Sequence, residues 1–484
     1  MNDSLDLRPV LPALVVTLTG LGVLMLQAFA PNSAGKRGAA VGIVGLVGAL
    51  GTTLYWAGKP GAGAMSLAGI VVLDDYAVFF HVLILASGAI AFLLSPQYLR
   101  SIGRDRGEYY ALALFAIVGM LGLVSGLELI SLFVALEAMS VSLYALAGFR
   151  REDSLSLEAA AKYFVTGAFA SAFLLYGIAF IYGATGNTAL RDIASGLTAP
   201  DPNTALLALA GVGLLLVGVG FKAAVVPFHM WAPDVYQGSP TTVSGFMAAV
   251  VKVAAFALLL RVFATGLPGL ADHWQPALAL LAVVTIVLGN LGALAQSHLK
   301  RMLAYSSVAH AGYLLIAIVA PTEAAATAIL FYLVGYAAMS LAGFGALAAL
   351  AHQGREPTTL EDLAGLGQRR PLFAAGLTVT LVSLTGLPVS AGFVGKFFLF
   401  RAAVDSGHAA LALLGVLMSV VSAYYYLRVV VAMYMRPPEG DDTWGAVGLA
   451  SGVALALCAA VILGLGIYPD PVLEFARTAA LALR

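Results

Sequence analysis

Apolar runs long enough to cross a bilayer recur along this chain, each closed by a short polar or Gly/Pro-rich break. About 20 apolar residues make a helix that spans a hydrocarbon layer roughly 30 Å thick. The pattern predicts spans at 9–30, 38–58, 74–96, 108–125, 127–149, 158–184, 205–228, 240–264, 275–296, 302–320, 325–351, 371–401, 409–435 and 446–468. That is an all-α polytopic membrane protein with about fourteen transmembrane helices. No segment between the spans is long enough to fold alone, so any soluble chemistry is expected from partner chains.

Two spans are interrupted. Span 7 runs into "GVGFKAAVVPFHMWAPDVYQG", where Pro227 follows Lys222, and span 12 holds "SLTGLPVSAGFVGKFFLF", with Pro388 ahead of Lys396. Gly/Pro-broken spans five helices apart are the mark of an internal repeat, and an odd spacing inverts one unit against the other across the membrane. The chain is therefore expected to divide into N-terminal helices 1–3 (1–107), a first five-helix repeat (108–264), a second (275–435) and a C-terminal helix 14 (436–484). Residues 9–30 end in Ala28-Phe29-Ala30, which resembles a signal-peptidase site. The preceding stretch holds Asp3, Asp6 and only Arg8, whereas a secretory leader begins positive. A retained first helix is expected.

Composition agrees with lipid as the solvent. The 484 residues are 61% hydrophobic and only 10% charged, with a mean hydropathy of +0.95, against roughly a quarter charged in soluble domains. Net charge is +0 with no basic block, which argues against a nucleic-acid partner. The single cysteine, Cys458, rules out a disulfide framework and cysteine-ligated metal or Fe–S centres. There is no phosphate-binding glycine motif after a strand, no nucleophile elbow and no HExxH, hence no site for NADH, flavin, haem or a metal.

Loop cations set the orientation. With the N-terminus outside, the inner loops collect Lys36, Arg37, Arg100, Arg104, Arg106, Arg150, Arg151, Lys300, Arg301, Arg355, Arg369, Arg370 and Arg436. The outer ones collect Arg8, Lys59, Arg191, Arg261, Arg401, Arg477 and Arg484, thirteen against seven. An even number of spans puts both termini outside. Five cations remain within spans: Lys162, Lys222, Lys252, Lys396 and Arg428. A lysine near the bilayer centre costs about 2.5–3.5 kcal/mol even on lenient scales.

These residues carry the candidate chemistry. Glu137 lies about ten residues from either end of span 5, where a carboxylate needs a cationic partner or stays protonated. Lys222 and Lys396 each sit beside a helix break, which frees backbone carbonyls and admits water. A lysine there can gain and lose a proton as a carboxylate neighbour moves; a static buried ion pair is the plainer alternative. Lys252, about twelve residues into span 8, is too deep to snorkel, whereas Lys162 is about a turn from the inner end of its span, where snorkelling competes. Arg428 does not shuttle protons, and a headgroup or structural role suits it. His310, beside Tyr305, Ser306 and Ser307, suits either a wet polar chain between lysines or a satisfied core histidine. His229 suits a cap on the broken helix. His81, His273, His298, His352 and His408 show no metal-ligand spacing.

The segments "LFVALEAMSVSLYAL", "KYFVTGAFASAFLLYG", "GFKAAVVPFHMWAPDVYQGSPT", "VVKVAAFALLLR", "KRMLAYSSVAHAGY", "LTGLPVSAGFVGKFFLF" and "SAYYYLRVVVAMY" together resemble the antiporter-like membrane subunits of respiratory complex I. They cover most of residues 108–435. The resemblance implies two inverted five-helix units with broken helices 7 and 12. It implies that Glu137 pairs with Lys222, that Lys252 leads laterally to Lys396, and that Lys162 matches the helix 6 lysine of the family. The histidine-rich helix 8 usual in the L and M branches is absent, Lys396 stands where M has a glutamate, and the chain stops after helix 14 without the long lateral helix of L. These differences point to the N branch.

The implied function is proton translocation through intramembrane Glu and Lys residues, driven by quinone reduction with NADH. NAD, FMN, Fe–S clusters and quinone are then handled by other subunits. The implied partners are the antiporter-like M subunit, the small subunits J, K, A and H, the peripheral redox arm and the lipid bilayer. The implied location is a bacterial inner membrane with both termini periplasmic. A cation/proton antiporter subunit of the multisubunit Mrp type is the main alternative; a stand-alone solute transporter and a structural spacer subunit are weaker ones.

Overall fold

The computed structural model describes residues 6–483 except 32, 58, 60–64, 67–68, 199, 321 and 439–443. Asp3 and Arg484, used above, lie outside the described residues. The long helices are α1 Leu11–Phe29, α2 Ala34–Trp56, α3 Asp75–Ser101, α4 Gly107–Ser125, α5 Leu129–Ala147 and α6 Ser154–Thr185. A short α7, Leu190–Gly196, precedes α8 Pro202–Ala223 and α9 Trp231–Gly238. Then come α10 Thr241–Gly266, α11 Ala271–Leu294, α12 Leu299–Ile318, α13 Glu323–Leu350, α14 Pro371–Thr385, α15 Ala391–Asp405, α16 Ala409–Met435, α17 Leu449–Ile467 and α18 Asp470–Leu481. Met65–Ser66 and Val71–Val72 pair as a two-stranded antiparallel ribbon in the loop before α3.

The polar breaks supply the helix starts. Asp74, Asp153, Asp201 and Thr322 each accept a first-turn backbone N–H ahead of α3, α6, α8 and α13. Twelve helices among the described residues are long and apolar enough to cross a membrane, so this is a multi-pass membrane protein. The two remaining predicted spans take other forms. Span 10 is α12, a 20-residue helix that carries Lys300, Arg301, Ser306, Ser307 and His310. Span 12 is cut into α14 and α15.

The centre of the molecule is α10, buried from Thr241 to Phe263, with α13 nearly so; α3 and α4 pack beside them. Side chains such as Leu18, Phe169, Val420 and Leu449 are exposed around the perimeter, as a lipid-facing surface requires.

Two cations assigned to loops belong elsewhere. Arg261 is inside α10 and fully buried; its guanidinium donates two bonds of 2.9 Å to Asp74 and a third to the Val124 carbonyl. Lys300 is buried in the first turn of α12, donating to Glu356 at 3.0 Å and to the Ser239 carbonyl. A window average cannot see either, because each cation is matched by an acid distant in sequence. The stretch after 436 also holds more than one helix: the short α18 packs on α13 and α3. Its mixture of Asp, Glu, Arg and apolar residues hid it from a hydropathy reading.

Candidate functional site: a line of buried lysines

Helix α8 stops because Ala224 adopts a left-handed conformation (φ 56°) and Val225 N–H turns back to the Gly220 carbonyl at 2.8 Å. Lys222 thus stands in the last turn, where helix carbonyls favour a cation. Its amine lies against the ring of Tyr163, 4.9 Å from the centroid, and donates to the Tyr163 hydroxyl at 3.4 Å. The Tyr144 ring is 5.2 Å away, and Trp231 at the start of α9 stacks on Tyr163 at 4.5 Å. The ammonium sits in an aromatic box rather than against an acid.

Lys252 follows a π-helical turn, Met247–Val251, a widening that re-aims side chains at functional positions. Its amine donates to both oxygens of Ser307, the hydroxyl at 2.6 Å and the backbone carbonyl in a shorter bond. Tyr336 donates to the same Ser307 hydroxyl at 2.8 Å, and the Tyr236 hydroxyl also interacts with it. Lys252 is 1% exposed, Lys222 3% and Lys396 4%.

One turn beyond Ser307, His310 shares a short hydrogen bond with the Tyr332 hydroxyl and lies 3.2 Å from that of Tyr426, which in turn bonds Ser306. Lys396 completes the line. Helix α14 ends at Gly386 (φ 89°), and the Lys396 amine reaches back to the freed carbonyls of Thr385 at 2.9 Å and Leu384 at 3.3 Å. The Tyr313 ring lies 4.6 Å from that amine. Asn290 fixes this ring, donating to the Tyr313 hydroxyl at 3.2 Å and accepting from Tyr425 at 3.1 Å. A cavity of about 10 Å³, lined by Ser306, Ser307, Tyr336 and Ser340, lies between the Lys252 and Lys396 neighbourhoods and also touches Leu384. That is room for about one water molecule.

The expected contact of Glu137 with Lys222 is not made. Glu137 accepts a short hydrogen bond from Ser171 instead. It remains near enough for its charge to act on the Lys222 amine. Among the described residues, none of Lys222, Lys252 and Lys396 forms an ion pair; their bonded partners are neutral oxygens. Lys162 is in a different setting. Its side chain is 44% exposed, bridging Glu158 at 2.7 Å and Asp234 at 2.6 Å, and Arg301 holds the other Asp234 oxygen at 2.5 Å. Arg428 donates to the Leu294 and Gln296 carbonyls at the end of α11, a structural cap. His229 contributes its backbone carbonyl to Ala232 at the start of α9.

Tyr163, Tyr332, Tyr336, Tyr426, Asn290 and Asp234 were not singled out from the sequence. A usable signal existed for one pair, since Tyr332 and Tyr336 are four apart on one face of α13. Among the described residues, no group of His, Cys, Asp and Glu is placed to hold a metal ion.

The profile of the family described as NADH:quinone oxidoreductase/Mrp antiporter, TM, matches residues 126–422. NADH-quinone oxidoreductase subunit N of Trichlorobacter lovleyi is 41% identical over 478 residues, which is 99% of this chain and 97% of that protein. A chain of respiratory complex I from Thermus thermophilus with bound aureothin is 37% identical, covers 96% of this chain and 98% of its own length, and superposes with a TM-score of 0.80. A chain of the Mrp complex from Dietzia sp. DQ12-45-1b is 23% identical, covers 99% and 98%, and has a TM-score of 0.85, a likeness of fold alone.

Proposed function

We propose, for a chain that belongs to the family of NADH-quinone oxidoreductase subunit N, a division of labour in which its buried lysines carry the protons. The chain is an antiporter-like membrane subunit of that complex. Its partners are other complex I subunits, and the redox cofactors belong to them. The 41% identity over nearly the whole length outweighs the fold likeness to an Mrp chain.

The observation that carries the reading is the partner set of the lysines. Lys222, Lys252 and Lys396 are held by hydroxyls, carbonyls and aromatic faces, not by carboxylates. An amine locked to an acid stays charged, whereas an amine on neutral oxygens is free to change protonation when a distant charge moves. In the proposed cycle, approach of Glu137 holds a proton on Lys222. Separation, with Glu137 turned to Ser171, lets the Lys222 ammonium give its proton through Tyr163, Tyr236 and Ser307 to the Lys252 amine. The proton then passes His310 and its tyrosines to Lys396 and the outer face. Carrying one charge against 100 mV takes about 2.3 kcal/mol, the scale on which a partly buried ion pair rearranges.

Residues 108–264 and 275–435 act in this reading as two half-channels joined at Lys252 and His310, flanked by 1–107 and 436–484. Glu137 and the Glu158–Lys162–Asp234–Arg301 string reach the lateral surface, where ionised groups fit a neighbouring membrane subunit better than lipid. The membrane is the bacterial inner one, with both termini outside.

The test is Lys222→Ala in the assembled complex, with protons pumped per NADH oxidised as the readout. A fall in that ratio is expected; an undiminished ratio with normal assembly rejects the carrier role.

A further inference from the structure

Two cavities, of about 590 and 530 Å³, open on the face that the cation count makes the outer one. None of the path residues lines either. The first lies among α7, α10, α11, α12, α13 and α18, with Arg191, Ile318, Ala326 and Ile329 along its wall; the second lies among α13, α15 and α18, with Ala328 and Ala402. They meet at Thr322 and Glu323, which line both. From α18, Arg477 reaches Glu323 at 3.2 Å.

The position of the cavity walls connects them to the path. Ala328 is one turn of α13 outward from Tyr332, and Ala402 is six residues outward from Lys396 on α15. At 1.5 Å rise per residue these are separations of about 6 and 9 Å along the helices. Residues 329–331 on α13 and 397–400 on α15 are apolar, with Phe398 in the second cavity, and Arg401 next to Ala402 already lines that cavity with Asp405. Such an apolar seal is required. A pump whose internal path were continuous with the outer water would leak.

We propose that the joined cavities are the outer mouth of the proton path and that Glu323 is its release group. Resting on the lysine reading above, the step is a transfer of one proton from the Lys396 ammonium, leaving a neutral amine, to the Glu323 carboxylate. Glu323 then passes it to water outside. Arg477 holds Glu323 at 3.2 Å where the two cavities meet, which makes α18 part of the exit rather than a passive tail.

The experiment exploits the single native cysteine, which is buried. In a Cys458→Ala background, Ala326→Cys is placed in the complete complex, and right-side-out vesicles are treated with a charged, membrane-impermeant methanethiosulfonate. Labelling from outside followed by a severalfold fall in protons pumped per NADH is the expected result. Complete labelling with unchanged pumping, or no labelling from outside, overturns the proposal. Glu323→Gln is expected to cut pumping about a hundredfold, the low end of what one proton-transfer group contributes, while Glu323→Asp restores most of it. Lys396→Ala separates the failures: if it stops pumping while the labelled cysteine does not, only the mouth is wrong, and if neither matters, the lysine path itself falls.

Discussion

An ammonium taken out of water needs oxygen atoms, and Lys252 finds two on a single residue, Ser307. The hydroxyl also accepts from Tyr336, so one small side chain joins α10, α12 and α13. Ser307→Ala leaves the carbonyl and removes the shared hydroxyl. A hydrogen bond to a charged group is worth about 1.5–3 kcal/mol, so pumping at matched NADH oxidation is expected to fall by roughly tenfold, read from the rate of vesicle acidification. Lysines in apolar runs are conspicuous in a sequence, and Lys162, Lys222, Lys252 and Lys396 stand out on that ground alone, whereas Lys300 reads as a loop residue. Their partners do not stand out, because Ser, Tyr and Asn inside an apolar helix look the same whether they serve a lysine or a backbone carbonyl. The Glu137 contact with Lys222 shows the other limit: a family resemblance names the participants of a pair without saying in which state a structure stands.

Among the elements, the breaks do most to place the chemistry. Pro227 and Pro388 mark both in the sequence, and the structure ends α8 and α14 just ahead of them. The left-handed residues that make the turns, Ala224 and Gly386, could not be foreseen, since neither type demands that conformation. Gly386 has the stricter requirement. Besides its φ of 89°, a Cβ there would come within 2.9 Å of Lys396 Cδ. Gly386→Ala is expected to cost about 1–2 kcal/mol for the backbone, displace the lysine and lower the thermal midpoint of the purified complex together with its pumping. Ala224→Gly relieves the corresponding strain and is expected to be neutral or slightly stabilising in the same melt.

At the scale of the whole molecule, hydropathy gave the order of the spans and the broken positions, and long-range pairing gave what it could not. Arg261 with Asp74 and Lys300 with Glu356 tie segments far apart in sequence. Glu356, in the inner loop after α13, reports on this tie. Burial pushes its carboxyl upward, but Lys300 and the hydroxyls of Thr241 and Tyr98 outweigh burial and hold it below the usual carboxylate range. A group depressed in the folded state contributes stability above its unfolded value, near pH 4.3, and loses that contribution as pH falls through the folded value. The inner loop is therefore expected to loosen on acidification below about pH 5, as a rise in hydrogen exchange at 352–360. In Glu356→Gln that loosening is already present at neutral pH and varies less with acid.

The central claim is that these amines exchange protons and do not merely carry charge. Lys252→Arg tests it most directly, because arginine keeps the cation and the hydrogen bonds to Ser307 but does not give up its proton. In an assembled complex with normal NADH oxidation by an artificial acceptor, the proton-to-electron ratio is predicted to fall as far as in Lys252→Ala. A ratio equal to that of the unmodified complex would mean that a fixed positive charge is all the position needs, and the account would be wrong.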